Sequence, residues 1–315
     1  MDNVIGVDIG YGQTKTYNSS GAKSFPTAVT SMVPVETFGK VQAIVVNGEK
    51  YLVGDDACES RWVVDTRTPS FLGSNAWLAS LGLALMINGL APEDVKTSQI
   101  VLGIPPGHFK KDTVRKIANA VKSATISKNG QAYDLCCANV SVIPQGAGIY
   151  YAYKARDEEA KSKNIAIVDI GHYTIDMVYF AHGKYVEDAT NSIEMGISLL
   201  LDNICTAFNR EYDVSINHME AQRLLANGTI TIFQEVYRLE EMPSILQAYS
   251  SKVAAIINRF FAGLAGKPDI AIAGGGGALA LQGNISLQHK VLTISEPVVA
   301  NAKGYYYFGV KRKAA

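Results

Sequence analysis

The chain has 315 residues, of which 48% are hydrophobic and 18% charged; that length predicts about two domains rather than one small core. The apolar content argues against a disordered chain. The 29 basic and 29 acidic residues cancel, which argues against a protein that coats nucleic acid by charge and leaves copies of the chain only weakly repelling one another.

The N-terminus has no basic n-region and carries Asp2 and Asp8, so no signal peptide is expected. Val4–Asp8 is an apolar strand that ends at a carboxylate and then glycines, and Gln13–Tyr17 is a second strand. Ser19-Ser20-Gly21 turns the chain into Lys23–Phe25. Ala43–Val46 and Tyr51–Val53 flank Asn47-Gly48, a strong hairpin signal. Trp77–Leu90 is the longest apolar stretch. It falls short of the roughly 20 residues a bilayer span needs, and reads as a buried helix. Ile100–Ile104 is a buried-type strand stopped by Pro105-Pro106-Gly107, and Phe109–Ala124 has the apolar spacing of a helix with a lysine-rich outer face. Ala132–Ile143 reads as one strand ended by Pro144, followed by a helix over Gln145–Lys154 and a charged linker over Arg156–Lys163.

The second half opens with Ile165–Asp169, again an apolar run ending at Asp. Strands are expected at Thr174–Phe180 and Lys184–Asp188, with His182-Gly183 between them. Helices are expected at Gly196–Asn209 and His218–Leu225, then over a long stretch from Phe233 to Gly263 with a break near Met242-Pro243. Ile270–Ala273 is a strand running into Gly274-Gly275-Gly276-Gly277, Val291–Ile294 is a short strand, and Val299–Phe308 is a closing helix before the basic tail Lys311-Arg312-Lys313. The four cysteines, Cys58, Cys136, Cys137 and Cys205, form no Cys-x-x-Cys pair. They read as buried or half-buried thiols of a reducing compartment, so a cytoplasmic protein is expected.

An internal repeat carries most of the functional information. Val7-Asp8-Ile9-Gly10 recurs as Val168-Asp169-Ile170-Gly171, each copy between two strands, and Lys15 and Asp176 each lie seven residues past their Asp. Asp and Gly also make ordinary β-turns; the matched pair, together with the glycine run at Gly274, suits phosphate chemistry better. Glycine turns present backbone N–H groups to an anion. A carboxylate at each strand end can hold hydrated Mg²⁺, which takes oxygen ligands. Asp8 and Asp169 suit that role, Lys15 adds charge near the phosphates, and Gln13 and Thr14 add hydrogen-bonding groups.

These residues resemble the actin-like ATPase superfamily. Phosphate loop one is similar to Asp8-Ile9-Gly10-Tyr11-Gly12-Gln13-Thr14-Lys15, and loop two to Asp169-Ile170-Gly171-His172-Tyr173-Thr174-Ile175-Asp176. The adenosine loop resembles Ile272–Ala278, with Gly274, Gly275, Gly276 and Gly277. The connecting helices resemble Pro144-Gln145-Gly146-Ala147-Gly148 and Ala300-Asn301-Ala302-Lys303-Gly304-Tyr305. No G-x-x-x-x-G-K-[ST] run is present. The loop-one and first-helix patterns look most like ParM/StbA plasmid-segregation actins and small archaeal actin-like proteins.

The resemblance implies an α/β fold: two related actin-like (ribonuclease H-like) domains, each a mixed sheet flanked by helices, around a nucleotide cleft. Residues 1–155 with 299–315 would form the first domain and 156–298 the second. It implies ATP and ADP as ligands with Mg²⁺, and an ATPase in which Asp8 and Asp169 serve the metal and Gln145 positions the attacking water. Gln145 also reads as a helix N-terminal residue after Pro144, and the glycine run as a helix-start turn. Glu220 and Arg223 resemble a ribose- and adenine-contacting pair, or form a surface ion pair three residues apart. Gly196 lies where the family brings backbone near the nucleotide. Loop two departs from the pattern at His172-Tyr173, where many members carry small residues.

The implied partners are further copies of the chain, in a filament that assembles with ATP, and a DNA-binding adaptor protein, with no direct nucleic-acid contact and no membrane. A small-molecule kinase of the same fold, or an actin-fold scaffold outside DNA segregation, are the alternatives. Neither shows a clear sequence signature of its own: there is no extra Asp motif outside the phosphate loops, no cysteine-rich zinc motif, and Gly309–Ala315 is too short to serve as an amphipathic anchor. Val33–Gly39 and Asp65–Ser74 are irregular, partly apolar candidates for contacts between copies.

Overall fold

The computed structural model describes residues 3–31, 42–281, 285 and 287–314; the candidate contact segment Val33–Gly39 lies outside them. β1 (Val4–Ile9), β2 (Gln13–Asn18) and β3 (Gly21–Pro26) make an antiparallel ribbon. Next come β4 (Val29–Thr30), β5 (Ile44–Val46) and β6 (Glu49–Val53), with Asn47 and Gly48 at φ 52° and 87° between the last two, as a two-residue hairpin requires. Helices α1 (Asp55–Cys58) and α2 (Asn75–Ile87) follow, the latter capped by Ser74, which accepts the Trp77 N–H. β7 (Gln99–Ile104), α3 (Lys111–Ser123), β8 (Thr125–Lys128), β9 (Gln131–Asp134), β10 (Asn139–Pro144) and α4 (Ala147–Lys154) complete the first half. The second half holds β11 (Ile165–Ile170), β12 (Ile175–Ala181), β13 (Lys184–Tyr185), β14 (Asn191–Ile193), α5 (Ile197–Tyr212), α6 (His218–Asn227), β15 (Ile230–Ile232) and β16 (Glu235–Tyr237). It ends with α7 (Met242–Gly263), β17 (Ile270–Gly274), α8 (Gly276–Ala280), β18 (Leu292–Thr293) and α9 (Ala300–Ala314).

The repeat in the sequence is a repeat in topology. The first sheet has order β10-β7-β1-β2-β3 and the second β13-β12-β11-β17-β18, with β14 beside β12. In each, the strand that carries the Asp lies antiparallel to the next strand and parallel to a later one. Lys15 stands directly opposite Asp8, and Asp176 opposite Asp169. A third sheet, β4-β6-β5-β8-β9, is appended to the first half, and β15–β16 form a separate hairpin in the second.

Strand alternation decides where the carboxylates point. Ile5, Val7 and Ile9 enter a core with Trp77, Leu81 and Leu85 of α2. Ala166, Val168 and Ile170 enter a second core with Ile204 and Phe208 of α5 and Val253 of α7. The opposite faces of β1 and β11, which carry Asp8 and Asp169, therefore look toward the space between the sheets. There a third cluster joins the halves: Ile143, Tyr150, Ile165, Ile167, Phe180 and Tyr305, with Tyr150 stacked on Phe180 at 3.8 Å. Its backbone is the crossing of α4 and α9. A methyl built on Gly304 would stand 1.6 Å from the Gly148 carbonyl oxygen, so the two helices meet backbone to backbone.

Several expectations need correction. The predicted strand Ala132–Ile143 is two strands, β9 and β10, in different sheets. Asp134 accepts the Cys136 N–H in a turn that separates them, and Cys136 and Cys137 are exposed there rather than buried or half-buried. The preceding β8 and its Asn129-Gly130 turn were not anticipated. Lys184–Asp188 is strand only over Lys184–Tyr185, then a 3-10 turn and β14. The long helix begins at Met242, not Phe233; residues 230–237 form the β15–β16 hairpin, as the alternation in Ile230-Thr231-Ile232 permits. The helix expected from Gln145 starts at Ala147. Lys311, Arg312 and Lys313 lie inside α9 rather than in a tail. The Asp65–Ser74 segment is partly packed: Phe71 is buried in the first core and Thr66 donates to the Tyr11 carbonyl. Among the described residues no helix is long and apolar enough to cross a membrane.

Candidate functional site

Two matched turns face each other between the sheets. The Gly10 N–H donates to the Gln13 carbonyl at 3.1 Å, and the Gly171 N–H to the Thr174 carbonyl at 2.8 Å. Beneath each turn lies a buried carboxylate, and each is held by a residue from one of the crossing-helix segments. The Gln145 amide nitrogen donates to Asp8 at 2.8 Å, and the Asn301 amide nitrogen donates to Asp169 at 2.6 Å. Gln145 sits just before α4, its carbonyl oxygen accepting no hydrogen bond among the described residues. Asn301 also accepts the Gly146 N–H at 3.0 Å. It therefore ties the turn that carries Gln145 to the strand that carries Asp169. Asn301 stands within the second connecting-helix pattern without being singled out there; an Asn buried between two alanines needs partners, and that is the available signal.

Acidic groups outnumber basic ones at the site. Lys15 Nζ lies 3.6 Å from Asp8, the one ion pair this acidic group makes among the described residues. Burial, then the charge of Asp8, pushes the Asp169 carboxyl up to about 6. Burial, then the charge of Asp169, pushes Asp176 up to about 7, although Thr174 and Ser192 donate to it at 3.2 and 2.5 Å. Three buried carboxyl groups around one lysine make an oxygen-rich cluster of the kind that suits a hard cation.

The remaining candidates divide. Tyr11 and Tyr173 meet edge to face at 5.3 Å, Tyr173 donating to Glu194 at 2.8 Å and lying under the Arg67 guanidinium. Gly12 touches His172: a methyl there would lie 2.7 Å from the imidazole. Gly196 is required by loop two itself, since a methyl would lie 2.5 Å from the His172 carbonyl carbon, and its N–H donates to the Tyr173 carbonyl. Gln13 is exposed on the Lys15 face of β2. Thr14 is not: its hydroxyl is fully buried, 2.9 Å from that of Thr27, because it occupies the opposite face, and this corrects its expected place among the phosphate-facing groups. Gly274, Gly275 and Gly277 pack against Ile149, Asp169 and Ile170, while Gly276 has open space beside it. Glu220 forms the capping box of α6 with Asn217; it makes no ion pair with exposed Arg223 among the described residues.

His172 gives a pH signature. Burial, then neighbouring His218, holds its pKa down at about 4 against an ordinary 6.5. Between those values the unfolded chain binds a proton that the folded one refuses, so stability falls as pH falls through this window. The raised Asp169 and Asp176 slope the other way, which makes a comparison of two proteins the clean test. From pH 7 to 5, nucleotide-free wild type is expected to lose up to about 2 kcal/mol relative to His172→Gln, measured by denaturant unfolding at each pH. A difference that does not change with pH contradicts this placement.

Residues 6–148 match the family described as "Actin like proteins N terminal domain", and residues 167–286 match "Archaeal actin homologue MreB-like, C-terminal". No curated protein sequence matches the chain. Among solved structures it resembles the archaeal actin homolog Ta0583 (TM-score 0.81, 20% identity, 98% of this chain and 99% of that one). It resembles the same homolog in complex with ADP (TM-score 0.78, 19% identity, 98% and 99%). A 15-stranded ParM filament from Clostridium botulinum is also similar (TM-score 0.79, 21% identity, 99% and 100%). At these identities the likeness establishes the fold.

Proposed function

The chain belongs to the actin-like superfamily, and from that premise we propose that it is a cytoplasmic, ATP-dependent filament-forming protein in which Mg-ATP hydrolysis controls assembly. The observation that carries this reading is the paired grip on the two strand-end carboxylates, Gln145 on Asp8 and Asn301 on Asp169. Residues 1–155 with 299–315 would act as one domain and 156–298 as the other.

The residues fit magnesium: Asp8 and Asp169 offer only oxygen donors, and Asp169 carries a charge that its surroundings disfavour. These two would hold the ion, through water. Bound there, Mg²⁺ would neutralise phosphate charge. Lys15 adds a positive charge beside Asp8, and the Gly10 and Gly171 turns offer backbone to the phosphate chain. Gln145, fixed by its bond to Asp8, keeps its amide oxygen for orienting the attacking water, a task that needs no strong base. Gly276 leaves room for backbone to approach the base and ribose. Because Gly12 touches His172 and Tyr11 touches Tyr173, nucleotide admission requires the two loops to part. The crossing of α4 and α9 is the element about which such a hinge motion turns. The finer assignment, DNA segregation through an adaptor protein, is supported by the ParM-like loop-one pattern and by a net charge of zero.

The test is light scattering and sedimentation with Mg²⁺ and ATP, ADP or a nonhydrolysable analogue, with phosphate release followed in the same tube. ATP-dependent polymer above a threshold concentration, with phosphate appearing later, is the expected result. Steady hydrolysis with no polymer at any concentration contradicts it and returns attention to the kinase alternative.

A further inference from the structure

We infer that the β15–β16 hairpin is a knob that docks into an apolar pocket at the far end of α7 on a second copy of this chain. The inference rests on the filament reading above and deepens it.

The knob is unusual on local grounds. Phe233 and Gln234 form its two-residue turn at φ 48° and 70°, positions that normally take Asn and Gly. A bulky residue in left-handed backbone is a genuine outlier. Phe233 is 95% exposed and Val236 69%, so no burial of the ring among the described residues offsets the conformation. An aromatic ring held out at the tip of a hairpin is a preformed anchor for another surface.

The pocket is a groove of about 280 Å³ at the edge of the second sheet. Half-buried Ile193, Ile256, Phe260 and Leu264 line it, with Asp188 and Arg259 at its margin. Arg259 has no ion-pair partner among the described residues, and Glu235 follows the knob turn, exposed. Seating the ring in the groove brings an acidic residue of one copy to a basic residue of the other. Arg238, just past β16, is available to Asp188 in the same way.

Geometry excludes closure within one molecule. The hairpin leads into the start of α7, whereas the groove lies along its last third, from Ile256 onward. At 1.5 Å per residue the helix separates them by about 20 Å. A knob before the start of α7 and a pocket along its last third form a heterologous contact: each added copy leaves one knob and one pocket free, so the assembly grows as a filament wherever the rotation between copies does not close a ring.

The experiment measures the protein concentration at which polymer sediments in Mg²⁺ and ATP, together with ATP binding and thermal unfolding of each variant. Phe233→Asp and, separately, Arg259→Glu are expected to raise that concentration at least about tenfold, with ATP affinity and unfolding midpoint as in wild type. Adding Glu235→Arg to Arg259→Glu is expected to restore assembly. Phe233→Asp polymer at the wild-type concentration, or a charge swap that restores nothing, overturns the knob and leaves ATP-driven assembly standing. Wild type that binds and hydrolyses ATP without polymer overturns both.

Discussion

Gly304→Ala is expected to lower unfolding free energy by about 3 kcal/mol or more, the upper range for overpacking. The reason is geometric: the added methyl meets a backbone carbonyl, that of Gly148, at 1.6 Å. No rotamer change relieves a backbone clash, so α9 must move off α4. That displacement also pulls Asn301, three residues earlier in the same helix, away from Asp169 and Gly146. The control is Gly263→Ala at the end of α7, where a methyl meets nothing within 4 Å and helix propensity favours alanine. Denaturant unfolding of the three proteins checks this. A Gly304→Ala protein within about 0.5 kcal/mol of wild type, the ordinary range for surface substitutions, contradicts the crossing.

Gln145→Ala is expected to slow phosphate release about a hundredfold or more while nucleotide binding changes little. That pattern marks a group that acts in the transition state rather than in binding. The side chain is buried and tied to Asp8 at 2.8 Å, so truncation removes the proposed water-orienting amide while the Gly10 and Gly171 turns keep their own backbone hydrogen bonds. Single-turnover hydrolysis and fluorescent-nucleotide titration separate the two steps. Parallel loss of binding and turnover would instead make Gln145 a support for the Asp8 carboxylate.

The central strands, the repeat and the placement of the two aspartates were legible in the sequence, because each rests on short-range rules. Apolar runs that end in Asp-x-Gly, with a second strand after the turn, specify the turn and its register; Lys15 and Asp176 landed opposite their partners for that reason. What was not legible depends on contacts distant in sequence. Asn301 is meaningful only once α9 crosses α4. Thr14 was placed among phosphate-facing groups because its neighbours are, whereas strand alternation turns it away to Thr27. The glycine run is legible as a pattern, but which neighbours require its members is not: Gly274, Gly275 and Gly277 pack against Ile149, Asp169 and Ile170, which come from distant parts of the chain. The β15–β16 hairpin was missed because its turn uses Phe233-Gln234 in place of the residues that signal one. Each miss is a case where tertiary context or function overrode a local rule.

A metal–nucleotide site between Asp8 and Asp169 is tested by calorimetric titration of ATP into wild type and Asp169→Asn, each with Mg²⁺ and with EDTA. Binding is expected to require Mg²⁺ and to weaken at least about tenfold in Asp169→Asn, as for a group that holds the ion through water. Absence of binding, or equal binding in EDTA and in the variant, would contradict a metal–nucleotide site between Asp8 and Asp169.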